Sequence, residues 1–97
     1  MKTDIQTVNF DASPALVSYI HSELEGLETY YNRIVGAEVY LREDTGDSNH
    51  KEVKLKLNVP GPDLFAEDQA SSFEAGLAEV IEKMKRQLKK KNVRKRK

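Results

Sequence analysis

The sequence predicts an α+β fold in the order β-α-β-β-β-α, a two-layer sandwich in which a four-stranded sheet carries two helices packed on one face. Three observations predict it. Residues 14–32 and 72–91 place apolar side chains at steps of three and four, the spacing of one helical face. Between them, runs near residues 35–43 and 52–59 alternate with period two, as half-buried strands do. The 97 residues contain no cysteine, so no disulfide or thiolate site shapes the chain and it must fold by packing alone.

The opening stretch 3–10, TDIQTVNF, sets Ile5, Val8 and Phe10 among polar neighbours and reads as the first strand. Asp11-Ala12-Ser13-Pro14 switches the chain to helix. Ser13 can accept from free backbone N–H groups, and Pro14 suits the first helical position, where its missing donor is no loss. Leu16, Ile20, Leu24, Leu27, Tyr31 and Ile34 form one stripe, which carries this helix to about Asn32.

In 35–43, Ala37, Val39 and Leu41 alternate with Glu38, Tyr40 and Arg42, and the turn-rich EDTGDSNHK ends the strand. Val53, Leu55, Leu57 and Val59 then alternate with Glu52, Lys54, Lys56 and Asn58. Pro60-Gly61 supplies a type II turn into a return strand over 62–69, where Leu64 and Ala66 point inward and Asp68, on the same face, marks the end of pairing. Ser71-Ser72-Phe73-Glu74 contains the S-x-x-E capping box ahead of Phe73, Leu77, Val80, Ile81, Met84 and Leu88, a second stripe over 72–91. A parallel first pair with a right-handed crossover, followed by an antiparallel meander, buries the sheet's apolar face under both helices. One domain over 1–91 is expected, with a basic, disordered tail over 92–97 that has no stripe to bury.

Charge is segregated along the chain. The last fifteen residues hold ten of the sixteen Lys and Arg and none of the sixteen Asp and Glu, leaving six basic and sixteen acidic residues to the first eighty-two. With Met84 facing the core, Glu79, Glu82, Arg86, Lys89 and Lys90 point outward and Lys83 and Lys85 flank them. Cations opposing the helix dipole, and pairs such as Glu79–Lys83 and Glu82–Arg86, account for some of this. They leave Lys89 to Lys91 and Arg94 to Lys97 without an acidic neighbour in sequence, and a polyanion relieves such like-charge repulsion.

The remaining motifs exclude more than they suggest. No GxGxxG, P-loop or nucleophile elbow occurs, and no catalytic residue is assigned. His21 and His50 lack ligand spacing, and Glu43, Asp44 and Asp47 lack the full calcium-loop pattern, so no metal or cofactor is expected. Tyr30, Tyr40 and Phe65 could stack on bases, whereas Tyr31 lies on the apolar stripe. Apolar runs reach only two or three residues, against the roughly 20 that span a bilayer, so a soluble, unprocessed chain is expected.

In order and spacing, several motifs resemble the short ribosome hibernation promoting factors, also called the ribosome-associated inhibitor family. They are Ile5 and Phe10, Ser13-Pro14-Ala15-Leu16 for the family's T-x-A-L/I, Leu27-Glu28-Thr29-Tyr30 for its L-E-K-Y, and Leu64 with Ala66. The most specific is Lys83-Met84-Lys85-Arg86-Gln87-Leu88 with Lys89-Lys90-Lys91, similar to K-L-x-R-Q-L-x-K-x-K. The resemblance implies a cytoplasmic, non-enzymatic protein of stationary phase or nutrient stress, monomeric when free and acting on neither membranes nor small-molecule substrates. It implies binding to small-subunit rRNA in the decoding groove, where the domain excludes mRNA and tRNA. Lys83, Arg86 and Lys90 match the family's rRNA-contacting helix, joined by Lys85, Lys89 and Lys91; Lys54, Lys56 and Arg94 are further candidates. Family lysines of the first helix are here Glu23, Glu25, Gly26 and Glu28, and D-M-Y at the second is Ser72-Phe73-Glu74. The residues themselves leave two alternatives open: a general RNA- or DNA-binding module acting through the C-terminal helix and tail, and a domain whose acidic body docks a basic partner.

Overall fold

The computed structural model describes residues 1–43 and 50–95, with side chains placed as far as Lys91. Its elements follow the expected order: β1 (Lys2–Val8), α1 (Pro14–Tyr30), β2 (Gly36–Glu43), β3 (Lys51–Asn58), β4 (Leu64–Ala70) and α2 (Phe73–Lys95). The strands form one sheet in the order β1-β2-β3-β4. β1 pairs parallel to β2, and β2 with β3 and β3 with β4 are antiparallel.

Register explains which side chains meet. Ile5 lies opposite Val39, Val39 opposite Leu55 and Leu55 opposite Ala66, so one row of apolar residues crosses the whole sheet beneath the helices. Ile20, Leu24 and Leu27 of α1 and Leu77, Val80, Met84 and Leu88 of α2 are buried against it. Fully burying a side chain of this size contributes roughly 1.5–3 kcal/mol, and the two stripes supply most of that core. At Gly76, α2 approaches β3 so closely that a Cβ would lie 2.9 Å from Val53 Cγ2.

Several local details differ from the sequence expectations, each for a physical reason. β1 ends at Val8, because Asn9 takes a left-handed φ of 71° and donates through Nδ2 to the Glu43 carbonyl at 3.2 Å. Phe10 therefore leaves the sheet, and its ring stacks on Phe73 with centroids 4.4 Å apart. α1 starts as expected, with the Leu16 N–H donating to Ser13 Oγ at 3.1 Å, and closes at Tyr31, whose N–H donates to the Leu27 carbonyl at 2.8 Å. The cap of α2 is Ser72, whose Oγ accepts from the Ala75 N–H at 3.1 Å. Ala75 then occupies the third helical position and has no side chain with which to complete a reciprocal box.

Pairing of β4 also continues past Asp68, to Ala70 opposite Lys51. Asp68 is tolerated on the helix-facing side because the Lys83 ammonium lies 3.5 Å from its Oδ1. The turn joining β3 to β4 uses Gly61 at φ +86°, the value that the third position of a type II turn requires. Finally, α2 extends to Lys95, four residues past its expected end, so the segment expected to be disordered from 92 is helical in backbone as far as Lys95. Lys and Arg are good helix formers and each added residue brings one more backbone hydrogen bond.

Candidate nucleic-acid interface

α2 runs back along β4 in the opposite direction, and three side chains mark its descent. Lys83 Nζ donates to the Glu67 carbonyl at 2.8 Å, and Gln87 Nε2 donates to the Phe65 carbonyl at 2.6 Å. One turn further on, Lys91 Nζ reaches the Gly61 turn, 3.4 Å from where a Cβ would stand. β4 is an edge strand, and carbonyls that point away from the ladder need partners. Lys83 and Gln87 supply two, a role that the sequence did not disclose.

Leu88 is fully buried, whereas Lys89 and Lys90 beyond it are exposed. From Leu88 to Lys95 the helix axis advances about 10 Å with the body's last turn, at Gly61, already alongside Lys91. The molecule measures 48 Å along one axis against 21 and 18 Å along the others.

The predicted basic residues fall into two groups. Lys83 is held by Asp68 and the Glu67 carbonyl, and Lys85 by Glu82 at 3.4 Å; these replace the Glu79–Lys83 and Glu82–Arg86 pairs that sequence spacing allows. Arg86, Lys89, Lys90 and Lys91 form no ion pair among the described residues. Arg86, Lys89 and Lys90 share one exposed face of the helix. Arg94 lies on the last helical turn, its side chain not described; Asp44, Asp47, Arg96 and Lys97 lie outside the described residues.

Lys54 and Lys56 stand apart on the outer face of the sheet. Lys54 lies 3.6 Å from Glu52 and 4.0 Å from Glu67, and Lys56 lies 3.5 Å from Glu38 and 3.8 Å from Asp63. α1 contributes no lysine or arginine at all. Its flank toward α2 is identified by Tyr19, whose hydroxyl pKa is raised by burial and then by the carboxylates of Glu23 and Glu74. Tyr30 ends that flank exposed and Tyr31 is buried. His50 Nε2 lies 2.6 Å from Gln69 Oε1, and among the described residues no three His, Cys, Asp or Glu converge on a possible metal position. No helix of the described residues is long and apolar enough to cross a membrane.

Residues 3–96 match the family described as Sigma 54 modulation protein / S30EA ribosomal protein. The chain belongs to this family. The hibernation-factor resemblance read in the sequence points to the same group. A ribosomal subunit interface protein from Coxiella burnetii superposes with a TM-score of 0.86 at 18% identity, covering 96% of this chain and 99% of that one. The Protein Y N-terminal domain of Thermus thermophilus gives 0.80 at 18% identity, covering 93% and 98%. At such identity the two likenesses show a shared fold. No curated protein matches this chain in sequence.

Proposed function

We propose that this S30EA-family protein is a ribosome-associated translation inhibitor that binds small-subunit rRNA in the decoding groove and excludes mRNA and tRNA by its bulk. The observation that carries the reading is the outward face of α2 over its last seated turns, where Arg86, Lys89 and Lys90 are exposed and free of carboxylate partners among the described residues. Cations so placed neutralise backbone phosphates and release condensed counterions. Such contacts position a protein on RNA without reading sequence, which suits a plug. Lys91 and Arg94 extend the grip, while Lys83 and Lys85 add less because each already has a carboxylate. The acidic body repels phosphate, so the protein meets rRNA by the end of α2 first. Binding of this kind requires neither catalysis nor cofactor, and the ribosome places the protein in the cytoplasm.

The test is co-sedimentation of the tagged protein with purified small subunits at salt of about 0.1 M and about 0.5 M. Binding that is strong at the lower salt, lost at the higher and absent from the Arg86→Ala/Lys89→Ala/Lys90→Ala variant supports the proposal. Equal affinity for any RNA homopolymer would instead favour a general nucleic-acid module.

A further inference from the structure

The outer face of the sheet, opposite the helices, has a different chemistry from the end of α2. Strand register lays out two adjacent rows on it: Asp4, Glu38, Lys56 and Phe65, then Gln6, Tyr40, Lys54 and Glu67. Phe65 is 64% exposed and Tyr40 44%. The two aromatic rings give this solvent-facing surface an apolar contact area with polar surroundings. Between them lies a shallow concavity of about 570 Å³, with Glu38, Lys54, Lys56 and Glu67 around it. The Lys56 ammonium stands 5.9 Å from the Phe65 ring centroid.

The charges around this concavity select its partner. Lys54 and Lys56 each lie within reach of two carboxylates. The five acids Asp4, Glu38, Glu52, Asp63 and Glu67 outnumber the four bases Lys2, Arg42, Lys54 and Lys56. A phosphate backbone laid here would have to displace carboxylates from both lysines and would still face surplus negative charge. A polypeptide that brings guanidinium groups together with an apolar side chain meets no such obstacle. Its apolar group fills the space between the rings, and its guanidinium groups pair with Glu38 and Glu67 or stack on Tyr40 and Phe65.

We infer that the outer face of the sheet is a docking surface for a basic polypeptide segment carrying an apolar anchor, seated between Tyr40 and Phe65. The inference does not depend on the ribosomal reading. Because this face and the end of α2 lie on different parts of the molecule, both can be occupied together. A partner already sitting on the same particle as the nucleic acid would then raise the effective affinity of the whole.

The experiment is a titration of the ¹⁵N-labelled full chain, followed by amide shifts, with three probes: a short Arg/Leu peptide, its Glu/Leu counterpart and a single-stranded RNA decamer. The Arg/Leu peptide is expected to move the amides of Tyr40, Lys54, Lys56, Phe65 and Glu67, and the Glu/Leu peptide to leave them still. RNA should move residues of α2 alone. Phe65→Ser, at an exposed position, should weaken the peptide about tenfold with the fold unchanged, and Glu38→Lys/Glu67→Lys should abolish the preference for arginine. The inference is overturned if RNA moves the sheet residues, if both peptides act alike or neither acts, or if those amides shift with protein concentration alone, which would identify a second copy as the occupant.

Discussion

Lys56 and Lys90 are the same residue type in one small domain, yet the structure puts them in opposite company. Lys56 stands on the sheet between Glu38 and Asp63, and Lys90 stands on the exposed face of α2 with no carboxylate partner among the described residues. A cation already neutralised offers a phosphate little, since the incoming anion must compete with a partner whose attraction is comparable. Composition alone counts the two equally. The field that a polyanion meets depends on which acids the strand register has placed beside each cation, and that makes the exposed basic face of α2 a grip and the sheet a surface whose lysines already have partners.

The most damaging way to break this contrast is at its foundation. Leu88 is the last buried residue of α2 among the described side chains and is fully inaccessible, so Leu88→Ala should lower stability by about 2–5 kcal/mol. Urea unfolding checks this, and a loss under about 1 kcal/mol would mean that the basic end is not seated by Leu88.

The contrast itself is measured by two variants side by side. Arg86→Ala/Lys89→Ala/Lys90→Ala should weaken association with small subunits by roughly two orders of magnitude near 0.1 M salt and flatten the salt slope by about 2–3. Lys54→Ala/Lys56→Ala should change it less than about threefold. Similar losses in the two would erase the distinction between paired and unpaired lysines.

Lys83 sharpens the contrast within α2. It caps an edge-strand carbonyl and meets Asp68, so Lys83→Met should lower stability modestly. The expected loss is about 0.5–1 kcal/mol, after discounting for solvent screening at a partly exposed pair. Its effect on subunit binding should be much smaller than that of Lys90→Ala, a comparison that thermal melts and co-sedimentation on the same samples would decide.

The smallest effect concerns two neighbouring tyrosines, which differ as the lysines do. Tyr30 is exposed, whereas Tyr31 is buried with a hydroxyl that has no hydrogen-bond partner among the described residues. Tyr31→Phe removes a desolvated oxygen and should leave stability unchanged or raise it by up to about 1 kcal/mol. A clear drop in melting temperature would reveal a partner for that hydroxyl.

Much of the architecture was legible because burial imposes a period on the chain. Leu16, Ile20, Leu24 and Leu27 announce a helix, and Val53, Leu55 and Leu57 announce a strand, before any neighbour is known. Local choices were less legible. Ser71 and Ser72 are chemically equivalent caps, and only the backbone at the entry to α2 selects Ser72. Phe10 continues the apolar pattern of β1, yet Asn9 turns it out of the sheet and onto Phe73. In the candidate site, the run from Lys83 to Lys91 was plain, but its division into held and free cations was not. Asp68 is fifteen residues from Lys83, and Phe65 is twenty-two from Gln87.

Sequence alone determined the order of elements, the two apolar stripes and the gathering of positive charge at one end of the chain, because each follows from residue type and spacing along a single segment. Tertiary structure decided which lysines stay free, which edge carbonyls are capped and which aromatics are left in solvent. Those outcomes depend on contacts between segments far apart in the chain, and Coulomb attraction and hydrogen bonding act over ångströms of space, whatever the number of residues between.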